Sequence, residues 1–218
     1  MKYSFYCLFV GLAVFAGCTA APEERQLPIL GPRTPDVSMV NGRPQVDTIY
    51  HTIPDFAFLD QDSQLVTSQT VAGKIYVADF FFTSCPSICP KMKSQMLRVY
   101  EKYKENPKVV LLSHSIDPTH DTVAVLRDYA DRLGVKSNTW HFLTGNRDSI
   151  MTLAQRHYFV TAMTDPKAAG GFEHTDGFLL IDGQRRIRGH YHGLDENDVD
   201  KLMVDIDLLL SAAEKGKG

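Results

Sequence analysis

The sequence predicts an α/β protein built on a central mixed β-sheet flanked by helices, and three observations carry that prediction. Apolar runs of strand length, such as Ile75 to Phe82 and Val109 to Ile116, alternate with stretches whose apolar residues recur at helical spacing. Two late strands, Phe178 to Ile181 and Arg186 to Tyr191, meet at Asp182-Gly183, which adds an antiparallel hairpin to an otherwise parallel set. The chain has 218 residues, 44% hydrophobic and 22% charged, enough for one core with extra sequence at its ends.

Lys2 and the apolar run from Phe5 to Phe15 have the make-up of a secretory signal, and the run is short for a membrane span. It ends in Phe15-Ala16-Gly17-Cys18, which is similar to a bacterial lipobox although Phe15 replaces the usual Leu. Residues 1–17 are therefore expected to be a lipoprotein signal peptide and Cys18 the lipidated residue; ordinary signal cleavage and an uncut anchor are the alternatives. The mature chain is expected to face the periplasm of a bacterium, held to the membrane through its lipid.

Residues 18–47 carry Pro22, Pro28, Pro32, Pro35 and Pro44 and few large apolar residues, which predicts an extended tether. A strap on the domain surface is the alternative for Leu27 to Leu30. The folded domain is expected over 48–214. Phe56 and Phe58 alternate before an Asp60-Gln61-Asp62-Ser63 turn and a strand from Gln64 to Thr67, an N-terminal β-hairpin extension. Ile75 to Phe82 follows as the central buried strand, interrupted by Asp79. Met92, Met96, Val99, Tyr100 and Tyr103 mark a helix, and Val109 to Ile116 the next strand. Val123, Leu126, Ala130 and Leu133 mark a second helix, with Asp121 as its expected cap. Trp140 to Leu143 is a short strand, and Ile150, Leu153 and Ala154 belong to a further helix. After the late hairpin, Val199, Leu202, Met203, Ile206 and Leu209 form an amphipathic closing helix.

The formal charge of −3 and the scattered Lys and Arg exclude nucleic acid as a partner. With Cys7 in the signal and Cys18 at the lipid site, the domain keeps Cys85 and Cys89. In an oxidising compartment such a pair is a disulfide bond, a redox couple or a set of metal ligands. Each cysteine precedes a proline, which disfavours the α conformation, so Cys89 is expected just before a helix with Pro90 at its first position. The positive helix end then favours thiolate. A disulfide needs Cβ atoms about 3.5–4.5 Å apart, whereas residues four apart in a helix-like turn place them about 5–6 Å apart. The spacing leans toward a metal chelate.

Two thiolates leave most metals unsaturated. His174, in Gly170-Gly171-Phe172-Glu173-His174, is one candidate for a third ligand; His190 and His192, two apart on a strand, are a competing pair. Soft sulfur selects copper(I) or zinc, and an added imidazole suits copper in either oxidation state. Asp79 is expected either to carry a raised pKa and relay protons to the dithiol, or simply to meet a polar partner.

These residues resemble the Sco/SenC family of copper-binding thioredoxin-like proteins, from about Ile53 to the last helix. The resemblance rests on Phe82-Thr83-Ser84-Cys85-Pro86-Ser87-Ile88-Cys89-Pro90, on Ser115-Ile116-Asp117-Pro118-Thr119-His120-Asp121-Thr122, and on Trp140-His141-Phe142-Leu143-Thr144-Gly145. Glu173-His174 stands at the family's ligand histidine. The resemblance implies a thioredoxin-like fold, one copper ion held by Cys85, Cys89 and His174, and a metallochaperone for the dinuclear copper centre of cytochrome c oxidase. The partners it implies are an oxidase subunit or another copper-carrying protein. Ser87 and Glu173 depart from the Asp common at both positions. A thiol–disulfide oxidoreductase, with Cys85 and Cys89 as catalytic residues, is the second reading; a peroxidase and a zinc site at the same ligands are more distant ones.

Overall fold

The computed structural model describes residues 25–86, 88–164 and 172–216. The amino-terminal part holds β1 (Arg33–Val40), β2 (Arg43–Tyr50), β3 (Ala57–Leu59) and β4 (Leu65–Thr67). The body follows with β5 (Ile75–Phe81), α1 (Cys89–Tyr103), β6 (Val109–Ser115), α2 (Val123–Leu133), β7 (Trp140–Leu143) and α3 (Arg147–Thr152), which runs into a π-helical turn, Leu153–His157. Then come β8 (Ala162–Thr164), β9 (Phe172–His174), β10 (Gly177–Ile181), β11 (Ile187–His192) and α4 (Glu196–Lys215).

The central sheet has the order β11-β10-β5-β6-β7. β5, β6 and β7 run parallel, while β10 is antiparallel to both β5 and β11, so the sheet is mixed as predicted. All seven residues of β5 are buried because both faces of the sheet are covered. On one face α1 and α2 pack over Phe81, Trp140 and Phe142, through Tyr100 and Tyr129. α4 docks beside α1, where the Tyr103 hydroxyl donates to the Met203 carbonyl at 2.7 Å and to Asp207. On the other face Phe80 and His114 pack among Phe56, Phe58 and Tyr158.

Two local expectations are revised. α1 starts at Cys89 rather than after it, one residue early, with Pro90 still in its first turn, where its missing N–H costs nothing. α2 is capped by Thr122, whose hydroxyl accepts from the Val125 amide; Asp121 is committed elsewhere. It ends at Gly134, whose φ of 69° is the left-handed conformation glycine supplies.

The stretch whose prolines predict an extended tether contains the β1–β2 ladder, which tolerates Pro35 and Pro44 because both its strands have an open edge. Ahead of it the chain is a strap. Leu27 is buried, the Leu30 amide donates to the Ile187 carbonyl at 2.8 Å, and the Arg188 guanidinium donates to the carbonyls of Leu27 and Pro28. Arg25 pairs with Asp205 of α4 at 3.0 Å.

Candidate metal centre

The dithiol lies where the central strand hands over to α1. The Cys85 amide donates to the Phe82 carbonyl at 3.3 Å, folding the loop back on the strand end. Neither Cys85 nor Cys89 is in a disulfide, and both are buried. Cys89 is hydrogen-bonded through its side chain to Cys85, so the loop brings the two sulfurs together despite the three residues between them. No acid occupies the first turn of α1, which leaves its positive end uncompensated. That field is expected to favour thiolate, yet the Cys89 thiol is pushed up to about 12. Burial is the largest cause; a hydrogen bond from the Phe82 backbone and the charge of Lys93 pull the other way without prevailing. Before metal arrives, Cys89 carries its proton.

Two buried networks support this loop. Asp121, fully buried, gathers four donors: the Thr83 amide at 3.0 Å, the Thr83 hydroxyl at 2.5 Å, the Ser115 hydroxyl at 2.6 Å and His120 Nδ1 at 2.9 Å. It thus ties the residues just before Cys85 to the end of β6. This ion-paired contact with Asp121 also raises the His120 pKa.

The second network answers the question about Asp79. Its carboxylate accepts from Lys93 Nζ at 2.5 Å and from the Ser113 hydroxyl, while Lys93 also donates to Ser113 Oγ at 2.9 Å. Trp140 Nε1 donates to the same Ser113 oxygen at 2.9 Å. Lys93 is only 2% exposed and its Nζ lies 4.1 Å from the centre of the Phe81 ring. Asp79 is therefore half of a buried ion pair beneath the dithiol helix, which is the polar-partner alternative. Lys93 itself faces the site. Together with Thr83, Cys85, Cys89, Leu97, Tyr129 and Leu133 it lines an open, mostly apolar groove of about 360 Å³ between α1 and α2.

His174 ends β9, paired through its backbone with Ala162 of β8. The pairing of Leu179 with Ala78 puts the start of β10, three residues after His174, at the carboxyl end of β5, the end that carries the dithiol. His190 and His192 are neighbours as expected, with ring centres 5.8 Å apart, and His192 is tied to acidic groups of the fold. His192 pairs with Asp176 at 3.3 Å and its amide donates to Asp198. Among the described residues no three of His, Cys, Asp and Glu gather as a ready-made metal set. Cys18 lies outside the described residues.

Lys93 and Asp121 are what sequence reasoning missed. Asp121 lies in a quoted block but had a plausible duty as a cap. Lys93 falls on a helix face whose pattern marks only the apolar residues, and no local spacing links it to Asp79 fourteen positions earlier.

The fold and site define a thioredoxin-like protein whose dithiol opens the helix after the central strand. The sequence matches the SCO1/SenC family over residues 45–210, and the chain belongs to that family. A SCO1/SenC family lipoprotein from Bacillus anthracis superposes with a TM-score of 0.67 at 26% identity, covering 73% of this chain and 95% of that one. BsSco, described as a member of the Sco family of cytochrome c oxidase assembly proteins and as having a disulfide switch, superposes with a TM-score of 0.64 at 27% identity, covering 73% and 93%. ScoI of Arabidopsis thaliana, solved with copper bound, gives 0.60 at 26% identity, covering 72% and 98%.

Proposed function

We propose that this protein is a copper metallochaperone that assists assembly of the dinuclear copper centre of cytochrome c oxidase. It takes one copper ion as cargo on Cys85, Cys89 and His174. The observation that carries the reading is the adjacency of the two sulfurs at the positive end of α1, beside an open groove. Two thiolates are soft donors that select copper(I) or zinc, and their combined charge also neutralises copper(II). The copper-bound Arabidopsis relative and the oxidase-assembly relative support the metal and the pathway. His174 is assigned as third ligand because the family's ligand histidine falls there and because its strand leads to the dithiol end of the sheet. Cys18 is assigned as the lipid attachment that holds the protein at the periplasmic side of a bacterial membrane, in keeping with the Bacillus anthracis lipoprotein.

Copper titration followed by absorption spectroscopy tests the reading. The expected result is a thiolate-to-copper(II) charge-transfer band and retention of copper(I) against a competing chelator, both lost in His174→Ala. A wild-type chain showing neither signal refutes it.

The hydrogen-bonded sulfurs also favour a second reading, reduction of a partner's disulfide. One thiolate attacks a partner sulfur and releases the other as a thiol; the second cysteine then displaces the mixed disulfide, leaving Cys85–Cys89 oxidised and the partner reduced. A His174→Ala chain that loses copper but still supports oxidase assembly in cells selects this reading over the first.

A further inference from the structure

We propose that the β1–β2 hairpin lays one face on the lipid bilayer, as a second attachment beside the anchor; this rests on the reading of Cys18 as the lipidated residue. In the ladder, Pro35, Val37 and Met39 stand opposite Thr48, Val46 and Pro44, and so share one face. Asp36, Ser38, Gln45 and Asp47 fill the middle of the other, which has Val40 and Arg43 at its turn end and Thr34 and Ile49 at its base. The first face is apolar and open to solvent: Val37 is 63%, Met39 68% and Val46 64% exposed.

Such a hairpin is poorly stabilised in water. A lone two-stranded ladder is marginal, and here Asp36 stands directly across from Asp47, a like-charge pair. Nothing else in the described chain covers the apolar face.

Three features favour lipid as the covering surface. Both hairpin acids lie on the opposite face, so the apolar side presents no carboxylate to anionic headgroups. At its base, on the apolar side, the Arg33 guanidinium sits 5.5 Å from the centre of the Tyr50 ring, a cation–aromatic pair of the kind that suits the headgroup region. Finally, the chain itself brings the membrane close. Leu27, which is buried, lies nine positions after Cys18, a reach of at most about 30 Å.

The strap adds orientation. Arg25 meets Asp205, which also accepts from Tyr191 late in β11, whereas Leu30 meets Ile187 at the start of β11. The strap thus runs antiparallel to β11, from the dithiol end of the sheet to the opposite end, where the Pro32 carbonyl and His51 amide close the base of the hairpin. Anchor and hairpin therefore leave the domain at opposite ends of its edge strand. Two attachments so placed lay that edge along the bilayer and leave the α1–α2 groove open to a membrane-bound acceptor.

The test uses the full lipidated chain in vesicles of phosphatidylethanolamine and phosphatidylglycerol whose acyl chains carry bromine, a contact quencher. Trp140 is fully buried and supplies a constant background. Val37→Trp puts a reporter on the apolar face and Ser38→Trp one on the opposite face. The expected result is quenching of the Val37→Trp emission at least threefold stronger than that of Ser38→Trp. Equal or negligible quenching of both reporters on vesicles that carry the chain through flotation overturns the hairpin proposal and leaves the anchor standing. Emission from Val37→Trp that shifts to the blue with protein concentration but escapes brominated lipid assigns the face to a second copy and overturns it too. The anchor is read separately. A mature wild-type chain whose mass shows no lipid added at Cys18 overturns the anchor, and with quenching intact the hairpin stands alone.

Discussion

His114 shows most directly what one buried side chain costs. It is fully buried among Phe56, Phe58, Phe80 and Tyr158, and neither ring nitrogen has a hydrogen-bond partner among the described residues. Burial alone holds its pKa down at about 3. The unfolded chain takes up a proton near pH 6.5 and the folded chain does not, so stability is present above that pH and drains away as pH falls toward 3. Between pH 7 and 4.5 the loss through this residue is about 2–3 kcal/mol. His114→Leu should flatten that part of the profile in urea unfolding at the two pH values; equal losses in both proteins would refute it. Cys89 titrates in the other direction. Its thiol, held up at about 12, must give its proton away when copper binds. Copper(I) affinity should therefore rise about tenfold or more per pH unit between pH 6 and 8, measured by competition at each pH. Lys93→Met removes the cation from buried Asp79 and should cost about 3–5 kcal/mol, whereas Lys93→Met with Asp79→Leu should recover most of it. Denaturant midpoints of the two variants decide.

Between residues and the whole fold, one carboxylate, that of Asp121, ties down the start of the loop from β5 to α1. Asp121→Ala leaves the Thr83 amide and hydroxyl and the Ser115 hydroxyl without their acceptor, at a cost of about 3 kcal/mol. Amide exchange at Thr83 should accelerate and the copper charge-transfer band should weaken, with Asp121→Asn, which keeps one accepting oxygen, in between. An unchanged Thr83 exchange rate would show that the loop is held by other contacts. The elements themselves were largely legible in the sequence, because β5, β6 and the apolar stripes of α1, α2 and α4 each repeat a periodic signal. The site was legible only in part. Cys85 and Cys89 announce themselves by their spacing and by the two prolines that follow them. The upward shift of the Cys89 thiol does not, since it depends on how deep the loop packs. Asp121 and Lys93 act through partners tens of positions away in sequence or across the sheet, and local pattern carries no record of such contacts. The strap at Leu27 to Leu30 was one of the two readings of the proline-rich stretch; the ladder was not, because proline content argues for extension, and an extended chain is also what a two-stranded ladder requires.

At the scale of the whole molecule, the strap joins the edge of the sheet to α4 and fixes the course of the chain before β1. Leu27→Ala should destabilise by about 2–3 kcal/mol, at the lower end for a buried leucine because the site lies at the periphery. Cleavage by added protease between residues 25 and 32 should increase before global unfolding begins. Cleavage that appears only with global melting would mean that the strap is held by its polar contacts alone. The buried Asp79–Lys93 pair has a consequence on a longer timescale. Either charge left by itself in that core is several kcal/mol less stable than both together or neither, so a lineage can lose or acquire the pair only through an ancestor with stability to spare, or by two changes fixed almost at once.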